Sequence, residues 1–151
     1  MIVEVVPCDP RDLAATGLLQ ASHLLMQSLF APESNHFLSI DALCRPEIRF
    51  FVAKRGTATI GCAALAVKAG YGEVKSMFVA PEARGAKVGE MLLTKIEAAA
   101  RTEGLALLRL ETGDKLASAH ALYQRRGFKW RGPFGAYEDL PESLFMEKKL
   151  T

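Results

Sequence analysis

The chain has 151 residues, enough for one domain, because folded domains usually hold about 100–200 residues. Half of the residues are hydrophobic and 24% are charged, a globular composition that excludes a largely disordered chain. The 19 Lys and Arg barely exceed the 17 Asp and Glu, so charge gives no support for a nucleic-acid-binding protein. No apolar stretch approaches the ~20 residues of a membrane span, and the N-terminus is not that of a signal peptide. We therefore expect one cytoplasmic domain over residues 1–151.

The N-terminal third predicts a strand and two helices. Residues 2–6 are predicted to form a strand, and leucines at helical spacing predict an amphipathic helix over 12–30. Asp9 is expected to cap the start of this helix, and Gly17 is expected to interrupt it. A second short helix is predicted over 41–44, before a proline.

Three strands joined by short links follow. Runs rich in aromatic and β-branched residues predict strands over 49–54, 59–68 and 73–79. The link around Gly56 has the composition of a hairpin turn. These strands are therefore expected to form an antiparallel meander.

The second half of the chain predicts helices that alternate with strands. A helix is predicted from about residue 88 to Gly104, then a strand over 105–112 and a helix over 117–126. Two strands are predicted to follow, over 128–131 and 144–149. The element order predicts an α/β domain with a mixed, mostly antiparallel central sheet flanked by helices.

A glycine-containing segment leads from the third meander strand into the first of these helices. Free N–H groups at a helix N-terminus, together with the helix dipole, favour an anion. Gly85 and Gly89 would let the backbone approach a ligand, and Arg84 and Lys87 would add positive charge. The segment lacks the endings of a P-loop and of a dinucleotide fingerprint. It is either a phosphate site or an ordinary turn before a helix.

Three side chains are candidates for acid–base chemistry. Tyr123 could donate a proton to a leaving group, or it could be a core residue of its helix. Glu73 opens one predicted strand and Glu111 closes another. Either could be a base, directly or through water, although acids at strand ends are usually solvated. Cysteines and histidines lack metal-ligand spacing, so no metal is expected, but His36 lies in a polar loop where it could touch a substrate.

Two segments together resemble the GNAT superfamily of acetyl-CoA-dependent N-acetyltransferases. EVKSMFVAPEARGAKVGEMLL, over 73–93, is similar to the family's acyl-CoA motif, and ASAHALYQRRGF, over 117–128, is similar to its A-x-x-LY-x-x-x-GF motif. The segment over 133–148 looks like that of a bacterial subgroup with poorly defined substrates. Lys87 stands where the motif has a middle glycine, and Leu116 stands where many members carry a polar Asn that contacts the cofactor.

The resemblance implies the GNAT fold, acetyl-CoA as co-substrate and no metal. It implies that Tyr123 reprotonates the departing thiolate and that a backbone N–H of the splayed strand stabilises the oxyanion. It also places Glu73 at a position where several members have their general base, which ranks it above Glu111. The residues implied in cofactor binding are Met77, Phe78, Val79, Arg84, Gly85, Ala86, Lys87, Val88, Gly89 and Tyr123.

The predicted reaction is direct transfer of the acetyl group to the primary amine of a small molecule. Acceptor choice would be set by the segments 31–37 and 65–72 and by the region around Phe134 and Tyr137. Two alternatives stay open: acetylation of a protein lysine or N-terminus, and a module that senses acyl-CoA without turnover. The resemblance also favours a homodimer.

Overall fold

The computed structural model describes residues 2–85 and 87–150. Its order of elements confirms the predicted one, and most boundaries lie within two residues of those expected. The strands are β1 (Val3–Pro7), β2 (Ile48–Arg55), β3 (Ala58–Val67), β4 (Gly72–Val79), β5 (Leu107–Gly113), β6 (Lys129–Arg131) and β7 (Ser143–Lys149). The helices are α1 (Leu13–Leu29), α2 (Ile40–Leu43), α3 (Val88–Thr102) and α4 (Ala117–Arg125).

The start of α1 differs from the prediction in two respects. Asp12, not Asp9, is the N-cap, and its side chain accepts a hydrogen bond from the Ala15 N–H. Asp9 instead shapes the preceding turn by accepting from the Arg11 N–H at 2.9 Å. Gly17 does not interrupt α1, which runs unbroken for 17 residues. The apolar face of α1 is buried against the sheet, and this packing outweighs the low helix propensity of one glycine.

Within the described residues, the strands form one seven-stranded sheet in the order β1-β2-β3-β4-β5-β7-β6. All neighbours pair antiparallel except β4 and β5, which run parallel. The predicted meander is therefore confirmed as β2-β3-β4. The sheet is mixed and mostly antiparallel, as expected.

Helices cover both faces of the sheet, which explains the nearly continuous apolar runs of β2 and β3. On β3, Ala63 and Leu65 face a core built with α3, while Cys62 and Ala64 face a second core built with α1. The larger core contains the fully buried α3 side chains Leu92, Leu93 and Ile96. The sheet is thus held between α1 on one side and α3 on the other.

Two irregularities open the sheet at its centre. Strands β4 and β5 pair only at Gly72–Leu108 and Glu73–Arg109, and beyond that point they separate. In β4, the register against β3 slips by one residue between Lys75 and Phe78. Ser76 at this bulge has a left-handed φ of 55°, which is rare for a residue other than glycine. Backbone groups of β4 are therefore turned away from the ladder next to an open cleft.

Candidate active site

The separation of β4 and β5 leaves a small cavity of about 110 Å³ in the middle of the domain. Helix α1 closes one side of it and α4 closes the other. Its lining includes Met26, Phe30, Met77, Glu111, Leu116 and Tyr123. The cavity, which we call the inner cavity, thus brings Tyr123 and Glu111 of the predicted site together with backbone of the β4 bulge.

Tyr123 is only 5% exposed and packs edge-on against Phe128, with the ring centroids 5.6 Å apart. Its hydroxyl makes no hydrogen bond to another group within residues 2–85 and 87–150. Burial, and secondarily the nearby charge of Glu111, raises the pKa of the Tyr123 phenol well above its usual value. The phenol therefore stays protonated at neutral pH, as a general acid must.

Glu111 also lines the inner cavity, and it lies near the end of β5, two residues before Gly113. Burial raises the pKa of its carboxyl to about 7, and the neighbouring charge of Glu73 acts in the same direction. The ammonium of Lys75 and the hydroxyl of Ser143 oppose this rise. A carboxyl that titrates near neutral pH can take up and release a proton under working conditions.

Glu73 lies near the start of β4, and neighbouring side chains contact its carboxylate. It is 5% exposed and accepts a short hydrogen bond from the Tyr137 hydroxyl. The Lys75 ammonium lies 3.7 Å from the same carboxylate oxygen. Burial, followed by the charge of Glu73, raises the pKa of the Tyr137 phenol far above its usual value, so this phenol is a hydrogen-bond donor at neutral pH.

A larger cavity of about 580 Å³, the outer cavity, opens beside Glu73. It is bounded by the segment before β2 and by the loop between β6 and β7. Three residues, His36, Phe37 and Lys75, line both cavities and so mark their junction. Burial, and secondarily the Lys75 charge, lowers the pKa of His36, so its ring is neutral at pH 7.

Aromatic contacts hold the β6–β7 loop over the outer cavity. Phe134 is buried and lies edge-on to Tyr71 at 5.7 Å and to Tyr137 at 5.2 Å. The Arg109 guanidinium lies 4.6 Å from the Tyr71 ring centroid, and its Nε donates to Glu147 at 2.8 Å. These contacts fix Tyr137 where it reaches Glu73, 64 residues away in the chain.

The segment before α3 has the form expected of an anion site. Gly85 and Lys87 have left-handed φ angles of 87° and 61°, and the side chains of Arg84 and Lys87 point to solvent-exposed surface. Among residues 2–85 and 87–150, no side chain caps the start of α3, so its first N–H groups are available to a ligand. Ala86, also predicted here, lies outside the described residues.

The other predicted cofactor residues separate into backbone and side-chain roles. The side chains of Phe78 and Val88 are buried in the two cores, so only their backbone can meet a ligand. Met77 lines the inner cavity, and Val79 ends β4 just before the loop. At Gly89, an added Cβ would lie 2.8 Å from Cδ2 of Leu122. A larger residue at position 89 would therefore have to displace the end of the Leu122 side chain of α4.

Leu116 is the N-cap residue of α4 and lines the inner cavity, but it makes no capping hydrogen bond. We expect Leu116→Asn to stabilise the protein by about 1 kcal/mol, because an Asn side chain can accept from the first N–H groups of α4. This should raise Tm by about 2–4 °C in thermal denaturation. Leu116→Ala is the matched control, since it shortens the side chain without adding an acceptor; equal Tm values for the two variants would contradict the capping effect.

Two further properties of the described residues bear on function. Within 2–85 and 87–150, no three His, Cys, Asp or Glu side chains are grouped as metal ligands would be. Over the same residues, each helix is too short or too polar to cross a bilayer.

Comparison with known proteins identifies the family. A family model described as an acetyltransferase (GNAT) domain matches residues 46–130, which include β4, the segment before α3, and α4. The chain belongs to this family. The resemblance expected from the two motifs is thereby confirmed, and the protein is a GNAT N-acetyltransferase.

Individual GNAT relatives match over nearly the whole chain. An Azospirillum brasilense protein named "IAA acetyltransferase" is 48% identical over 144 residues, 94% of each chain. The crystal structure of an acyl-CoA N-acyltransferase candidate from Klebsiella pneumoniae superposes with a TM-score of 0.84 at 30% identity and 99% coverage of each chain. A Thermoplasma acidophilum PaiA N-acetyltransferase, in complex with coenzyme A, shares the fold with a TM-score of 0.75 at 20% identity over 99% of each chain.

Sequence reasoning missed one member of the site. Lys75 was not singled out, although it lies two residues after Glu73 and hence on the same face of β4. Tyr137 was expected to influence acceptor choice, but its hydrogen bond to Glu73 was not predicted. Alternation along β4 could have indicated Lys75; nothing local could have indicated the Tyr137 contact.

Proposed function

We propose that the protein transfers the acetyl group of acetyl-CoA directly to the primary amine of a small molecule. The observation that carries this proposal is the pairing of two groups in the inner cavity: a carboxyl, Glu111, with a pKa of about 7, and a phenol, Tyr123, that stays protonated. Amine acetylation needs a base for the attacking amine and an acid for the leaving thiolate. The inner cavity supplies both.

Proton movements would run between these two residues. An amine with a pKa of ~10 is mostly protonated at pH 7 and must lose a proton before it attacks. The Glu111 carboxylate would take that proton, and the neutral amine would then attack the thioester carbonyl and form the new C–N bond. Acetyl-CoA supplies the thioester carbonyl that is attacked and the thiolate that leaves. The Tyr123 hydroxyl would give a proton to the thiolate sulfur, and the phenolate would regain one from the nitrogen of the new amide. Glu111 would release its proton to solvent, so that the products are the acetylated amine, coenzyme A and one proton.

Backbone groups would provide the remaining stabilisation. Negative charge builds on the carbonyl oxygen during attack, and a backbone N–H at the β4 bulge near Met77, which lines the inner cavity, would donate to it. Glu73 was ranked first as base on the resemblance, and it stays a candidate. Its surroundings favour a different role, because its carboxylate is bonded by Tyr137 and paired with Lys75, whereas Glu111 shares the inner cavity with Tyr123.

The outer cavity supports a small acceptor. Its volume of about 580 Å³ lies within the ~300–1,000 Å³ usual for small-molecule sites. The Azospirillum brasilense relative is also named for a small acceptor, IAA. A homodimer and a cytoplasmic location stay predictions from the sequence.

The first test measures acetyl-CoA binding. The variant Gly85→Ala tests whether the segment before α3 takes part in it. We expect calorimetry to show acetyl-CoA binding in the micromolar range, about −8 kcal/mol. Because Gly85 has φ of 87° and open space around it, a Cβ there would strain the loop and occupy the room next to its amides. We expect binding to weaken about tenfold, the loss of roughly one charge-assisted hydrogen bond.

Gly104→Ala is the matched control, since Gly104 also has a positive φ, 76°, and open space, but lies at the far end of α3. Both variants should lose about 1–2 kcal/mol of stability, and only Gly85→Ala should lose affinity. Absence of binding by the wild type at millimolar acetyl-CoA would remove the proposed function, and equal affinities of the two variants would place the phosphates elsewhere.

A further inference from the structure

Lys75 is a buried cation whose hydrogen-bonding capacity is not filled by the protein. Its side chain is 10% exposed, and its Nζ donates to the His36 carbonyl at 2.8 Å and to the Tyr137 hydroxyl at 2.9 Å. An ammonium group has three N–H donors. Among the described residues, the remaining nearby acceptor is Glu73 Oε2 at 3.7 Å, too far for a hydrogen bond.

Lys75 lies where its third N–H donor can reach a molecule bound in the cavities. Lys75 lines both the inner and the outer cavity, at their junction. The nearest carboxylate, Glu73, already accepts from Tyr137, and the His36 ring beside it is neutral because its pKa is lowered. A buried ammonium gains most from a charged hydrogen-bond acceptor. The junction therefore favours an anion that arrives with the acceptor molecule.

The outer cavity has further positive charge along its rim. Arg45 and Lys68 both line it, and neither side chain forms an ion pair or hydrogen bond within residues 2–85 and 87–150. Besides Glu73, the carboxylates of Glu33, Glu47 and Glu138 line the same cavity, so its walls are not of one sign. Such mixed walls suit a molecule that carries both charges better than a simple cationic amine.

We propose that the acceptor is a short amino acid-type molecule, an amine with an acidic group a few carbons away, and that Lys75 binds this acidic group. The proposal rests on the proposed function, since it assumes that the amine is acetylated beside Glu111. Lys75 and Glu111 line the same inner cavity, so the amine and the acid must be close together in the molecule. Carboxylate, sulfonate and phosphonate share the required chemistry.

The test is a panel of amines, with acetyl transfer measured by thiol release and product mass. Glycine, β-alanine and 4-aminobutyrate vary the spacing; taurine and 2-aminoethylphosphonate vary the acid; glycinamide and ethanolamine are neutral counterparts. Rates are compared at equal concentrations of unprotonated amine, because the amines differ in pKa. We expect kcat/KM for the best acidic amine to exceed that of its neutral counterpart by about 10- to 100-fold.

Two variants connect this preference to Lys75. Lys75→Met removes the charge at similar length and should abolish the preference, mainly by slowing the acidic amines. Lys129→Met is the control, because it removes an exposed charge on β6 that is not part of the lining of either cavity, and it should keep the preference. If Lys75→Met slows acidic and neutral amines equally, Lys75 does not recognise the acidic group. It then acts in a step that all acceptors share, such as positioning the acetyl group, and the proposal is wrong. If Lys75→Met does not fold, the wild-type panel decides.

The outcomes separate this proposal from the proposed function. Neutral amines acetylated as well as acidic ones would overturn the acidic acceptor and leave the acetyltransfer standing. Acidic amines that raise Tm without being acetylated would support the anion site and contradict the proposed acetyltransfer to an amine. If none of the acidic amines binds and none gives an acetylated product, the proposed acidic acceptor is wrong.

Discussion

Tyr123→Phe should lower kcat by about 10²- to 10⁴-fold, the usual contribution of a positioned general acid. The phenol lies in the inner cavity, has no protein hydrogen-bond partner among the described residues, and keeps its proton because its pKa is raised. Without it the thiolate must leave unprotonated. The loss should appear in kcat more than in the KM for acetyl-CoA, because the interaction is made mostly in the transition state.

Steady-state kinetics, acetyl-CoA calorimetry and thermal denaturation are to be measured on the same preparation. Because the ring keeps its contact with Phe128 and the hydroxyl has no partner to lose, Tm and cofactor affinity should change little. Tyr71→Phe is a matched control, since Tyr71 also lines a cavity but only the outer one. Wild-type kcat in Tyr123→Phe would reduce Tyr123 to a packing residue.

The fold was predictable because its signals are local. Alternating and continuous apolar runs identify the meander strands, and Gly104 and Gly127 mark the ends of α3 and α4 where left-handed backbone is required. The error at Asp9 shows the limit of such signals. Two aspartates three residues apart both suit an N-cap, and in the structure Asp12 caps α1 while Asp9 accepts a hydrogen bond in the turn before it.

Functional roles were less predictable, because they depend on contacts distant in sequence. The motif around Gly89 predicts that its backbone approaches a ligand. In the structure, the missing Cβ also makes room for the Leu122 side chain of α4. Glu73 reads as a free carboxylate at a strand end, yet it is held by Tyr137 from a loop far along the chain. A sequence gives the residue types at a site, but burial and partners decide which of two carboxylates is ready to accept a proton.

The burial of Glu111 leads to a measurable effect on stability. Its pKa is about 7 in the folded protein and near 4.5 in the unfolded chain, so the folded state binds the proton more tightly. The group therefore contributes stability below about pH 4.5, and this contribution is lost as the pH rises through 7. Glu111→Gln cannot ionise, so at pH 8 it should be more stable than the wild type, by up to about 3 kcal/mol. At pH 4 the advantage should disappear.

Glu111→Gln should at the same time lower kcat about 10²- to 10⁴-fold near pH 7, because the base is removed. In the wild type, kcat should rise with pH through the Glu111 pKa of about 7, since only the carboxylate accepts a proton. The variant should lack this rise. It should recover part of its rate only as the pH approaches the amine's own pKa of ~10, where the acceptor deprotonates without a base. Glu73→Gln is the matched control: it should keep the rise of kcat with pH, moved to somewhat lower pH because the charge that helps to raise the Glu111 pKa is gone. If instead Glu73→Gln loses the rise and Glu111→Gln keeps it, Glu73 is the base, as the resemblance first suggested, and Glu111 is a buried carboxyl that the reaction does not use.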